Sequence, residues 1–162
     1  MQRIEPQVGQ ESVWDYPRPP RLERSDKTIE IIFDGQTLAR TNRAFRVLET
    51  SHPPVYYIPL EDINREMLRP AANSSYCEWK GMADYYTVAS GDKTAPSAGW
   101  YYPEPTPAFA PIRDTVAFYP SRMDACFVDG ERVQAQAGDF YGGWITADIV
   151  GPFKGEAGSS GW

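Results

Sequence analysis

Alternation of apolar and polar positions marks out a chain built mainly of strands. Ile29, Ile31 and Phe33 alternate with Glu30, the two-residue period of a half-buried strand. Asp34-Gly35 follows and predicts a tight hairpin, because such a turn needs positive φ at its centre. Its return strand is predicted over 36–40. Phe45 and Val47 share one face of a strand over 44–49, and after Pro53-Pro54 a short run over 55–58 carries two tyrosines. Further strands are predicted over 75–80 and 85–89, joined through Gly81, and over 100–102 and 115–119. A second hairpin over 126–133 turns at Asp129-Gly130.

One segment breaks this period. Leu60, Ile63 and Met67 recur at helical spacing, with Leu68 beside them, which predicts a single short helix over 60–69. Glu61 and Asp62 at its start and Arg65 and Arg69 near its end suit the helix dipole, and Pro70 stops it. Residues 90–99 read as a polar loop. Pro103, Pro105, Pro107 and Pro111 impose a long irregular crossing.

The first 26 residues include Pro17, Pro19 and Pro20, which forbid a helix there and favour an extended arm. Val13, Trp14 and Tyr16 predict that this arm lies on the domain. The organisation read from the chain is therefore an arm, 1–26, and one compact, mainly β domain, 27–162. Its core covers 27–119, and a hairpin and glycine-rich tail cover 120–162. Phe140, Tyr141, Trp144, Ile145 and Phe153 make that tail too apolar for a free linker.

A length of 162 residues fits one domain. The ten tyrosines and five tryptophans suit half-buried strands and pocket walls. The net charge of −6, without a Lys/Arg run, argues against nucleic acid or an anionic membrane as partner. Two cysteines, Cys77 and Cys126, and one histidine, His52, cannot supply a four-ligand zinc cage, so no metal and no cofactor is expected. The N-terminal string MQRIEPQVGQ has no apolar leader, and no stretch is long enough to span a membrane. The expectation is a soluble, cytoplasmic protein whose thiols are free, with a Cys77–Cys126 disulfide as the alternative. Asn73-Ser74-Ser75 fits the glycosylation pattern and is read as turn chemistry.

Several strings carry a family resemblance. They are Glu49-Thr50-Ser51-His52-Pro53-Pro54-Val55-Tyr56-Tyr57-Ile58-Pro59, Cys77-Glu78-Trp79-Lys80-Gly81 with Ala83 and Tyr85, Val116-Ala117-Phe118-Tyr119, and Val128-Asp129-Gly130-Glu131. The tail string over 138–146, GDFYGGWIT, adds to them. Together they resemble the long form of the DUF427 family of bacterial and fungal proteins; shorter members correspond to about 27–119. The resemblance implies a small β architecture similar to the β-tent group. Several β-tent proteins hold zinc through paired cysteine motifs that this chain lacks. A nucleotidyltransferase-like label attached to the family finds no support here, since the chain has neither a Gly-Ser pair with a following carboxylate couple nor a Gly-rich phosphate loop. Many relatives have Pro where this chain has Glu78, so a role for Glu78 would not be family-wide.

Candidate chemistry gathers in two of these strings. An imidazole ordinarily titrates near neutrality, so His52 is a candidate general base, the alternative being a hydrogen-bonded structural residue; the rigid Pro53-Pro54 step would fix its direction. In a strand over 75–80, Tyr76, Glu78 and Lys80 share one face, and Cys77 and Trp79 the other. Lys80 would then bind an anionic group and Glu78 hold or activate it, the alternative being a surface ion pair. Cys77 is either a nucleophile served by His52 or a small packing residue. Tyr56, Trp79, Tyr85 and Tyr119 are the candidate ligand-binding walls. The expected function is binding of a small anionic or carbonyl-bearing molecule in an aromatic-lined pocket, with or without catalysis. The alternative is a non-catalytic interaction or structural domain, a second copy of the chain being one partner considered.

Overall fold

The computed structural model describes residues 2–138 and 140–162; Asp139, within the tail string, lies outside them. Both Asp-Gly turns form, and Asp34, Gly35, Asp129 and Gly130 all hold positive φ. In chain order the strands are β1 (Glu11–Ser12), β2 (Arg21–Arg24), β3 (Ile29–Phe33), β4 (Gln36–Thr41), β5 (Phe45–Leu48), β6 (Val55–Pro59), β7 (Leu68–Cys77) and β8 (Gly81–Ser90). They continue with β9 (Lys93–Tyr101), β10 (Thr115–Phe118), β11 (Ala125–Val128), β12 (Glu131–Arg132), β13 (Gln134–Ala135), β14 (Trp144–Ile145) and β15 (Ile149–Val150). The protein is mainly β. Its helical segments among the described residues are short 3-10 turns, and no helix is long and apolar enough to cross a membrane.

A seven-stranded antiparallel sheet runs in the order β2-β5-β6-β10-β9-β8-β7, and a four-stranded sheet in the order β12-β11-β3-β4. The period of two sorts their side chains. Tyr56, Ile58, Val116 and Phe118 of the large sheet meet Ile29, Ile31, Phe33 and Leu38 of the small one in a shared core. The residues between them, Tyr57, Ala117 and Tyr119, point to the opposite face. There they join Trp100 and Tyr102, and Phe109 and Ile112 from the proline-rich crossing complete a second cluster. That outer aromatic face positions the site.

The helix expected over 60–69 does not form. Two 3-10 turns, Leu60–Asp62 and Arg65–Met67, stand in its place, and Leu68 opens β7. The sheets claim the backbone: Asn64 N–H donates to Leu38 O at 2.7 Å, Ile63 bridges Ala39, and Leu68 pairs with Val88. Ile63 and Met67 still reach the core, so the apolar spacing reported burial rather than helix. Pro70 is accommodated because β7 is an edge strand. The loop expected over 90–99 is also replaced. Ser90 pairs with Lys93 across Gly91-Asp92, and β9 runs on from there. The strand expected over 75–80 ends at Cys77.

The N-terminal segment is built into the sheets before residue 28. β2 edges the large sheet, and β1 pairs in parallel with β15 of the tail. Val13 packs with Leu48 and Ile149 in a third cluster. From β5, Arg46 reaches Glu11 at 2.7 Å and Glu23 at 2.5 Å. Trp144 of the tail is fully buried in the main core, and its indole N–H donates to Phe118 O at 3.3 Å.

Candidate functional site

The β7–β8 hairpin turns through Glu78-Trp79-Lys80, with Cys77 paired to Gly81. Gly81 has φ +110°, and a β-carbon there would stand 3.3 Å from Glu104 O, so the position needs glycine. The proline-rich crossing pins the turn from outside: Thr106 N–H donates to Lys80 O at 3.0 Å and its hydroxyl to Trp79 O at 2.6 Å. Lys80 is thereby folded inward over the aromatic face. Its ammonium lies 5.9 Å from the ring centres of both Tyr102 and Phe109.

Beside it opens a cavity of about 590 Å³. Tyr57, Trp100, Tyr102 and Tyr119 form its floor from the sheet, and Cys77, Glu78, Trp79, Lys80 and Tyr85 form the hairpin side. Glu49 and Val55 line another edge. The tail closes the rim through Gly142 and the exposed Phe140. The rings are in mutual contact. Trp100 and Tyr119 lie 4.6 Å apart between centres, Tyr57 sits 6.4 Å from both Trp100 and Tyr102, and the Trp100 N–H donates to the Tyr57 hydroxyl at 3.4 Å.

Burial works against the charge on Lys80. Tyr57, Cys77 and Glu49 more than offset it, so the amine titrates above its ordinary range and is an ammonium at neutral pH. Burial pushes the Tyr57 and Tyr102 hydroxyls up, and burial with the neighbouring Tyr85 pushes Tyr119 up to about 12. Near neutrality the cavity therefore offers the Lys80 ammonium and several protonated phenols, with the carboxyl groups of Glu49 and Glu78 also on its walls.

His52 stands behind the cavity wall rather than on it. Its Nδ1 is 3.2 Å from the Gln136 amide nitrogen, which also donates to Lys154 O at 2.6 Å, and the Gln136 carbonyl accepts from Gly143 N–H at 3.2 Å. With Nδ1 accepting, the neutral ring carries its proton on Nε2, which faces the Glu49 carboxylate at 4.0 Å. Arg18 reaches the same carboxylate oxygen at 3.2 Å. Burial holds the imidazole below its usual value, while Glu49 pulls the other way.

Of the residues singled out from sequence, Glu78, Trp79, Lys80, Tyr85 and Tyr119 come together at the cavity. His52 does not line it; Glu49 stands between them. Tyr56 faces the inter-sheet core, 5.1 Å from the Trp144 ring, and borders a separate polar cleft with Glu11, Arg46 and Asp148. The two-face assignment over 75–80 fails because the strand has already ended at Cys77. The turn brings Cys77 and Lys80 to one cavity instead of opposite faces. Glu49 and Gly142 enter only as members of family-like strings, and Thr106 carries no local signal. Among the described residues, no group of three or more His, Cys, Asp or Glu side chains gathers to hold a metal, and both cysteines are free.

Residues 21–129 match the family described as a domain of unknown function (DUF427), and the chain belongs to that family. No curated protein matches the chain.

Proposed function

We propose that this member of the DUF427 family binds a small anionic or carbonyl-bearing molecule in the aromatic cavity, with the Lys80 ammonium taking its oxygen. The observation that supports this most is the setting of Lys80. The ammonium is half-buried among rings at a cavity wall, and among the described residues it forms no ion pair with a carboxylate. A partly desolvated cation of this kind gains when an anion or carbonyl oxygen arrives, because the low local dielectric strengthens the contact. The ring faces give a planar ligand its van der Waals area, and the phenols offer further donors. A volume of about 590 Å³ falls in the ordinary range for small-molecule sites.

Benzoate, a planar anion, is a suitable probe. Tryptophan fluorescence should report saturable binding through Trp79 and Trp100, and calorimetry should confirm its stoichiometry. Lys80→Met should weaken binding by about tenfold or more, the cost of one charge-assisted contact, with little change in melting temperature. Equal binding by both proteins, or no saturable binding by the native one, would overturn the reading.

A further inference from the structure

Binding as just described leaves one reactive group of the cavity unused. Cys77 and Lys80 stand at the two ends of the Glu78-Trp79 turn and line the same cavity. Against its burial, Tyr57, Cys77 and Glu49 together hold the Lys80 amine above its ordinary range. Cys77 is a free, half-buried thiol. Cys126 is its natural contrast: 2 % exposed in the inter-sheet core, with burial pushing its thiol up and out of nucleophilic use.

We propose that Cys77 is a nucleophile that captures a small aldehyde in this cavity as a thiohemiacetal, with Lys80 serving the carbonyl oxygen. The proposal rests on the reading of Lys80 as the group that takes the ligand's oxygen. In the addition, the Cys77 sulfur attacks the carbonyl carbon and the S–C bond forms. The C=O π bond opens and its electron pair moves to oxygen. The Lys80 ammonium gives that oxygen a proton, and the thiol proton returns to the Lys80 amine. The atoms balance with no oxidant, reductant or leaving group, and the step is reversible.

The surroundings fit this chemistry. The Thr106 bonds to Trp79 O and Lys80 O fix the turn, so Cys77 and Lys80 are set at one cavity before any ligand arrives. The aromatic walls carry phenols that stay protonated, which places donors beside the developing oxyanion, while the carboxyl groups of Glu49 and Glu78 line other edges of the cavity. An aryl aldehyde would set its ring against Trp100 and Tyr119 and its carbonyl toward the turn.

Two measurements test it, both on the full chain. First, Cys77 alkylation by iodoacetamide is followed by peptide mass spectrometry near neutral pH. The native rate should exceed that of the same cysteine in urea by about tenfold, as expected where Lys80 takes the reagent's amide oxygen beside the sulfur. Lys80→Arg should keep part of the gain and Lys80→Met none. If Lys80→Met does not fold, the native-to-urea comparison and Lys80→Arg still decide. A Cys77 no faster than in urea would overturn the proposal.

Second, benzaldehyde carrying ¹³C at its carbonyl is added to the protein. The carbonyl resonance should lose intensity to an sp³ carbon signal, and Cys77→Ser should abolish that signal. Benzoate binding without the sp³ signal would sink the nucleophile and leave the binding reading standing. The sp³ signal without benzoate binding would do the reverse for anions. An sp³ signal that survives Cys77→Ser would assign the adduct to another group and reject Cys77.

Discussion

The backbone of Gly142 lies against the indole of Trp100, so that a β-carbon at position 142 would stand 2.3 Å from its Cη2. The tail and the cavity floor are therefore in contact, and the glycine is needed for close approach. Gly142→Ala should displace the indole and cost about 1–3 kcal/mol, the usual penalty of overpacking. Thermal melting and the near-ultraviolet circular dichroism of the tryptophans would register it. A wild-type melting temperature with an unchanged spectrum would show that the tail does not bear on Trp100.

Stability should fall in two steps as the solution is acidified. Burial keeps His52 below its ordinary 6.5 in the folded chain, so the unfolded chain takes up a proton that the folded one refuses. Stability is then intact above 6.5 and declines as pH falls through it. Glu11 and Asp148 are held below their ordinary 4.5 and 3.8, so their contribution is lost only at lower pH. His52→Gln should flatten the first decline and preserve the second in melting curves taken across this range. Retention of the upper step in His52→Gln would assign it to another group.

Arg46 ties the N-terminal segment to the large sheet through Glu11 and Glu23. Its side chain is 12 % exposed, against 42 % for Glu11 and 33 % for Glu23. Arg46→Met should cost about 1–3 kcal/mol in urea unfolding, less than breaking a dry pair because both carboxylates keep water contact. Trypsin should also cleave faster at Arg21 and Arg24. Unchanged cleavage would mean that β1 and the cluster around Val13 hold the segment without the ion pairs.

Trp144 belongs to the tail in sequence and to the main core in space. Trp144→Ala should remove about 3–5 kcal/mol, the range for emptying a large aromatic site, and leave Phe118 O without its indole donor. Urea denaturation of the purified variant is the check. A loss below about 1 kcal/mol would contradict the burial of this ring.

Much of the fold was legible because its signals are local. Asp34-Gly35 and Asp129-Gly130 announce their hairpins, since few other residues accept positive φ at low cost. Alternation at Ile29, Ile31 and Phe33 reports a strand wherever one face is buried. The misread segments are those where local and non-local demands differ. Leu60, Ile63 and Met67 fit a helical face, yet the Leu38 carbonyl and the pairing with β8 took the backbone. Gly91-Asp92 passed for part of a loop because its flanking strands lack clean alternation, β9 being covered on both faces at Ala98, Gly99 and Trp100.

The sequence alone determined a mainly β chain, its two Asp-Gly hairpins, the family to which it belongs, and the string Cys77-Glu78-Trp79-Lys80-Gly81 as a place to look. Only the tertiary structure decided what that string does in space. It ended the strand at Cys77, folded Lys80 over Tyr102 and Phe109, and set Glu49 between His52 and the cavity. These outcomes depend on contacts such as Thr106 with Lys80 O and Gly142 with Trp100. They join residues far apart in the chain, and no local pattern encodes a contact whose energy exists only once both segments have been brought together.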